Sequence, residues 1–205
     1  MARAVVFLAD GFEEIEAITP IDYLRRAGVE VETVAIPVDG KADLLVTGSH
    51  KIPVKADLTF DELAMRDSND LSDAVVVPGG MPGAANIGAC ELAVDLIKKM
   101  FEQKKLVSAI CAAPVVVLGK TGVLAGKNYT CYPGTKKFED YCGGKEKADQ
   151  LTAGANLVPD KPFVVDQNLI TGRGPGAAEE FAMAIVEYLC GAETAAKIKT
   201  ASVQR

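Results

Sequence analysis

The chain has 205 residues, 49% of them hydrophobic, enough for one sizeable core and a single domain over residues 1–205. Its net charge is −6, with 22 Lys plus Arg against 28 Asp plus Glu and no basic block, so nucleic acid is not expected as a main partner, nor is a membrane surface. No run reaches the ~18 apolar residues of a spanning helix, and the opening MARAVVFLADGFEE lacks the pattern of a secretory signal, so a cytoplasmic protein is expected.

The first apolar run, AVVFLA, reads as a buried strand. EEIEAITPIDYLRRAG follows as a helix in which Ile15, Ile18, Ile21 and Leu24 recur at three- or four-residue spacing, Gly28 supplies the stop and Pro20 predicts a kink or a break. VEVETVAI is a second strand. The region 40–60 alternates polar and apolar residues and predicts a small hairpin with a return loop, after which TFDE, Thr59 to Glu62, fits a capping box opening a short helix. DAVVVPGG is a strand ending at Gly79 and Gly80, and CELAVDLIKKMFEQKK a helix with Leu92, Leu96 or Ile97, and Met100 on one face. LVSAIC is the next strand, with a helix expected directly after Cys111. Residues 132–161 read as surface structure with a short helix at TKKFEDY. PFVVD and NLITG are further strands, GAAEEFAMAIVEYLCG a helix with Phe181, Ile185 and Leu189 at four-residue intervals, and AETAAKIKTA a short last helix. Short Val- and Ile-rich runs alternating with helices imply parallel strands covered on both faces. The expected fold is α/β: a three-layer α/β/α sandwich with a flavodoxin-like, mostly parallel sheet and a small added hairpin.

Open parallel sheets bind ligands outside the carboxyl ends of their strands, where the EEIEA, PGG and AIC segments should converge. A lone cysteine is most often core packing. Cys111, set between a strand and a helix, can instead be presented on a sharp turn as an elbow nucleophile, with backbone N–H groups and the helix dipole lowering its pKa. Gly79 and Gly80 read either as a strand-end turn or as N–H donors to an oxygen beside Cys111. Glu13 and Glu14 read as solvent-facing residues of a helix start. Glu16 lies one turn in; if it faces the thiolate, it should hold its proton and donate to sulfur. His50, the only histidine, falls in the hairpin, away from the strand ends, and reads as exposed or at an interface. The other cysteines, 90, 131, 142 and 190, form no Cys-x-x-Cys pair; neither a disulfide scaffold nor a metal site is expected, and no cofactor. Cys131 adjoins Tyr132 and is a candidate secondary redox residue, while Cys142, in a glycine-rich loop, reads as open to adventitious oxidation. Arg173 either orients an anion or holds its loop by a salt bridge.

Through VVFLADGFEEIEAITPIDYLRRAGVEV, VVVPGGMPGAANIG, LVSAICAAP, YPG and LITGRGPGAAEEFAMAIVEYLCG, the chain resembles the ThiJ/PfpI superfamily, within it the DJ-1-like branch of the Parkinson-disease protein deglycase. The resemblance implies that Cys111 is the reactive cysteine, that Glu16 is the protonated acid beside it, and that Gly79 and Gly80 face the sulfur. It implies that the GRGPG segment, with Gly174 and Pro175, closes the pocket partly against a partner subunit, in a homodimer with the first helix and hairpin near the interface. His50 then stands where the family has an interface arginine. Tyr132 replaces a histidine near the cysteine, and tyrosine is a poor base near neutral pH.

The expected function is a cysteine-dependent glyoxalase or deglycase that converts methylglyoxal or glyoxal, a small dicarbonyl, to lactate or glycolate through a Cys111 hemithioacetal. Gly80 and Ala112 N–H groups would bear the oxyanion. The alternative is a redox-responsive protective protein or chaperone in which peroxide oxidises Cys111 to sulfinate.

Overall fold

The computed structural model describes residues 1–40, 43–66, 70–134 and 138–204. In chain order, β1 (Arg3–Leu8), α1 (Glu14–Arg26) and β2 (Glu30–Ala35) lead into a hairpin of β3 (Leu45–Thr47) and β4 (Pro53–Lys55), then β5 (Leu58–Thr59) and α2 (Phe60–Ala64). Next come β6 (Ala74–Val77), α3 (Gly83–Ala89), α4 (Glu91–Glu102) and β7 (Leu106–Ile110), a π-helical segment Pro114–Leu118, and α5 (Gly119–Thr121). A peripheral stretch holds β8 (Asn128–Tyr129), α6 (Glu139–Cys142), α7 (Lys145–Leu151) and β9 (Asn156–Leu157). The chain closes with β10 (Phe163–Asp166), β11 (Leu169–Gly172), a 3-10 turn Pro175–Ala177, α8 (Ala178–Cys190) and α9 (Ala192–Ala201).

The expected sandwich forms. Among the described residues the main sheet has seven strands in the order β10-β11-β7-β6-β1-β2-β5, parallel except for the β10–β11 pair. Val5 through Leu8, Ala74 through Val77 and Leu106 through Ile110 are buried on both faces, as parallel strands between two helical layers require. One layer is built on α1 and α8, which pack together with α9; the other holds α3, α4 and the helical run after Cys111. The hairpin register is Leu45 opposite Lys55 and Thr47 opposite Pro53. The Thr59–Glu62 capping box is present in full: Thr59 Oγ1 accepts from Glu62 N–H at 3.3 Å and Glu62 Oε2 accepts from Thr59 N–H at 2.7 Å. Of the helix expected at TKKFEDY, residues 135–137 lie outside the described residues; α6 covers its second half.

Four expectations are corrected. The buried face of α1 is Glu16, Ala17, Pro20, Ile21 and Leu24, whereas Ile15 and Ile18 are 53% and 41% exposed. An i, i+1, i+4, i+5, i+8 stripe is as helical as the isoleucine stripe and wins because it faces the sheet. Of the kink or break expected at Pro20, the break does not occur: the helix continues past it to Arg26. In α4 the face is Ala93, Ile97 and Met100, with Leu92 exposed. Cys142 is buried at the end of α6 and not in an open loop.

Candidate active site

β7 ends at Ile110, and Cys111 follows with φ +65°, a conformation that non-glycine residues rarely hold without a functional or structural demand. Its backbone is clamped on both sides: Cys111 N–H donates to Gly172 O at 2.9 Å, and Cys111 O accepts from Tyr132 N–H at 2.8 Å. The helix behind it opens as a π-helical turn whose residues Pro114–Leu118 are all buried. The strained elbow is therefore real, although the sulfur sits deep, with Cys111 only 8% exposed.

Glu16 reaches this residue from α1 and is fully buried. Its Oε2 accepts from Gly79 N–H at 2.8 Å. Gly79 has to be glycine: a Cβ there would stand 2.6 Å from Glu16 Oε2 and 2.7 Å from Cys111 Cβ. The Gly79 N–H thus serves the acid. The sulfur instead meets the N–H groups of Gly80 and Ala112, which favour its anion. Glu16 Oε1 is buried without a hydrogen-bond partner of good geometry, yet the carboxyl and the Cys111 thiol lie close enough that each perturbs the other.

Burial, reinforced by Glu13 nearby, holds the Glu16 carboxyl up to about 8, against the pull of Cys111 and of the Gly79 N–H. This is the neutral acid expected of it. The expectation for the sulfur is corrected: burial first, then the Glu16 charge, pushes the Cys111 thiol well above its ordinary value, and the two N–H donors do not offset this. Two charges this close in a buried site oppose each other, so the pair titrates as a unit and resists carrying both at once.

Glu13 and Glu14 are likewise not solvent-facing, at 8% and 6% exposure. Glu13 caps α1, its Oε2 accepting from Glu16 N–H at 2.8 Å. Glu14 receives the hairpin loop, accepting from His50 N–H at 2.7 Å and holding His50 Nδ1 at 2.8 Å. His50 is exposed, as expected, but its loop folds onto the start of α1, so it stands at the carboxyl end of β1 after all. Cys131 is buried, and burial pushes its thiol up to about 11, so nothing in its surroundings activates it for redox chemistry.

On the other side of the elbow lies an open cleft of about 610 Å³ lined by Tyr132, Pro133, Arg173, Gly174, Pro175 and Glu180, among others. A Cβ on Gly174 would come within 3.3 Å of the Tyr132 ring, which packs edge-on to Phe138. The Arg173 N–H is bonded to Pro162 O, and no salt bridge forms on its side chain among the described residues. A separate apolar cavity of about 300 Å³, between Phe60, Leu63, Leu96 and Met100, opens at the opposite, amino end of the strands and touches none of the candidate residues. The missed features are the buried pair Glu13 and Glu14; the adjacency of three glutamates to a strand end was the available signal.

The described helices include none long and apolar enough to cross a membrane. Residues 2–188 match the model of the DJ-1/PfpI family. The chain is 42% identical over 190 residues to protein dj-1beta of Drosophila melanogaster, covering 93% of this chain and 90% of that one. It is 34% identical over 174 residues to a protein named a deglycase from Pyrococcus abyssi, covering 85% and 91%. It spans only 41% and 46% of two longer DJ-1 homologues of Arabidopsis thaliana. Among solved structures, Drosophila melanogaster DJ-1beta superposes with a TM-score of 0.83 at 37% identity, over 98% of this chain and 97% of that one. Oxidized Toxoplasma gondii DJ-1 gives 0.82 at 33% identity, over 99% and 98%. On this evidence of sequence and shape together, the chain belongs to the DJ-1/PfpI family.

Proposed function

We propose that the protein is a cysteine-dependent glyoxalase or deglycase-type enzyme acting on methylglyoxal, glyoxal or their early adducts. One observation carries the reading: a strained elbow cysteine shares a buried pocket with a carboxyl held neutral to about 8. The name of the Pyrococcus abyssi relative agrees with it. The Cys111 sulfur bonds to the aldehyde carbon while the thiol proton passes to the carbonyl oxygen, so no free thiolate is needed at rest. The Gly80 and Ala112 N–H groups stand at the sulfur to stabilise charge as it develops. Glu16, once ionised, removes the proton from the hemithioacetal carbon and returns one to the neighbouring carbon, while the hydroxyl proton moves to the neighbouring oxygen. The two carbons exchange oxidation level with no outside oxidant, leaving a 2-hydroxyacyl thioester. Water cleaves it to lactate or glycolate and restores the thiol. With Tyr132 beside the elbow, proton transfer falls to Glu16 and water. The test is product formation from methylglyoxal by wild type, Cys111→Ser and Glu16→Gln; equal turnover in all three rules the reading out.

The second reading, peroxide sensing, draws on the same two N–H groups, which together with the Glu16 proton would hold sulfinate oxygens. The raised thiol and 8% exposure of Cys111 slow the thiolate attack that it requires. Sulfinate formed faster than lactate would reverse the order of the two.

Exposed Ile15, Ile18, Leu45 and Ile52, on α1 and around the hairpin, support a homodimer through this surface. Five unpaired cysteines suit a reducing, cytoplasmic setting.

A further inference from the structure

Away from the elbow, α2 and α4 leave a space between them. The five-residue α2 packs on β2 and β5, α4 packs on β6 and β7, and the cavity of about 300 Å³ lies between the two helices. Its apolar wall is built from Val5, Phe60, Leu63, Leu96 and Met100. One buried polar group interrupts that wall. Ser72 lines the cavity at 8% exposure, and its hydroxyl makes no hydrogen bond among the described residues. The backbone beside it is pinned. Asp73 N–H donates to Arg3 O at 2.8 Å, and the Asp73 carboxylate accepts from Arg3 N–H at 3.0 Å and from Lys105 Nζ at 2.8 Å. A buried hydroxyl without a partner is costly, and folded proteins rarely leave one so. We propose that this cavity binds a small uncharged ring compound carrying one hydroxyl or carbonyl group, which pairs with Ser72.

Size and charge together set the ligand class. An apolar cavity of about 150 Å³ takes up benzene, so this one has room for a bicyclic ring system. Apolar walls that face empty space forfeit dispersion contacts, and an apolar occupant restores them. The charged groups that line the cavity are already engaged. Arg66 donates to Glu32 through two bonds of 2.6 and 2.7 Å, and Asp70 accepts from Arg3 at 2.5 and 3.1 Å. Lys99 also has a partner. An ionic ligand would give up its water here without a spare counter-charge. Carboxylates and phosphates are therefore disfavoured, and a neutral ligand fits. Leu92, 62% exposed, gives the cavity an apolar entrance.

The probe is 2-naphthol, uncharged at pH 7, with naphthalene and 2-naphthoate as controls. Each is titrated into the full chain while methyl resonances are followed by 1H–13C NMR. 2-Naphthol should shift the methyls of Val5, Leu63, Leu96 and Met100 together and saturably, and 2-naphthoate should bind about tenfold more weakly or worse. Ser72→Ala should weaken 2-naphthol by about fivefold, the scale of one net hydrogen bond, and leave naphthalene no weaker. Leu96→Trp, which fills the space, should abolish binding of both neutral probes. Thermal melts check that each variant folds, and Ser72→Ala decides the matter alone if the larger side chain is not accommodated. Methyls that stay unmoved up to the solubility limit of 2-naphthol would mean that the cavity takes only water, and the proposal would fall. Equal loss of naphthalene and 2-naphthol in Ser72→Ala, or equal binding of 2-naphthoate, overturns the assigned chemistry. Neither Cys111 nor Glu16 lines this cavity, so the result is independent of the proposed reaction.

Discussion

Replacing Glu16 with Gln isolates the consequence of folding an acid into this place. The carboxyl is fully buried and its ordinary value of 4.5 is raised to about 8. An acid whose folded value lies above its unfolded one holds its proton more tightly in the native state. Its contribution to stability is then complete below 4.5 and declines as pH rises toward about 8. Each pH unit inside that window removes ~1.4 kcal/mol. Between pH 5 and 7 the wild type should lose about 2–3 kcal/mol that the Gln variant does not, since its amide is neutral throughout. The amide can also accept from Gly79 N–H while donating toward the sulfur, as the protonated acid does.

Urea denaturation of both proteins at half-unit steps from pH 5 to 8 measures the difference directly. His50, raised by Glu14, also loses its contribution as pH climbs, but it does so in both proteins and drops out of the comparison. Carboxylates held low, such as Asp57, Asp73 and Asp166, titrate below the window. Curves that stay parallel from pH 5 to 7 would mean that Glu16 ionises in the folded protein as it does in the unfolded one, and the neutral-acid account of the site would fall.

The same carboxyl sets the pH dependence of the proposed reaction. Turnover of methylglyoxal should climb to a plateau above about 8, with a rate at pH 7 roughly tenfold below it; a flat profile would remove Glu16 as the base. Gly79→Ala forces a methyl between Glu16 and Cys111, and should lower stability by about 1–3 kcal/mol and turnover by about 100-fold. Thermal melts and steady-state rates check both, and a variant that melts and turns over like wild type would show that the pair is not packed this closely. Thr59→Ala removes the cap of α2, far from the elbow, and should reduce stability by ~1 kcal/mol with turnover unchanged.

The layer order and the elbow were legible because their signals are local. Runs such as VVVP and LVSAI admit few readings once helices alternate with them, and the Thr59–Glu62 box states its own hydrogen bonds. The orientation of α1 was not legible. Ile15 and Ile18 continue the helical spacing of Ile21 and Leu24, so apolar periodicity alone points the helix a step away from its true face. The stripe that is buried carries an acid and a proline, and only contact with the sheet and with Cys111 makes it the inner one. The same rotation hides the roles of Glu13 and Glu14, whose partners, the Glu16 N–H and the hairpin loop, include a segment more than thirty positions away in sequence.

The state of the sulfur was the harder matter, because it is a balance of opposed effects. A strand-to-helix turn, two N–H donors and a neutral acid each favour thiolate, and all three are present around Cys111. What sequence spacing does not convey is depth: the helical turn behind the cysteine is buried along its whole length, and at 8% exposure the sulfur has lost most of its water. Desolvation then dominates and the resting form is the thiol. For the proposed chemistry this is a selective arrangement. A thiol that loses its proton only as a bound aldehyde oxygen takes it up is spared much of the attack by peroxide, which requires the free anion. The buried pair would then separate carbonyl chemistry from oxidation by a single condition, the presence of a substrate able to accept the proton.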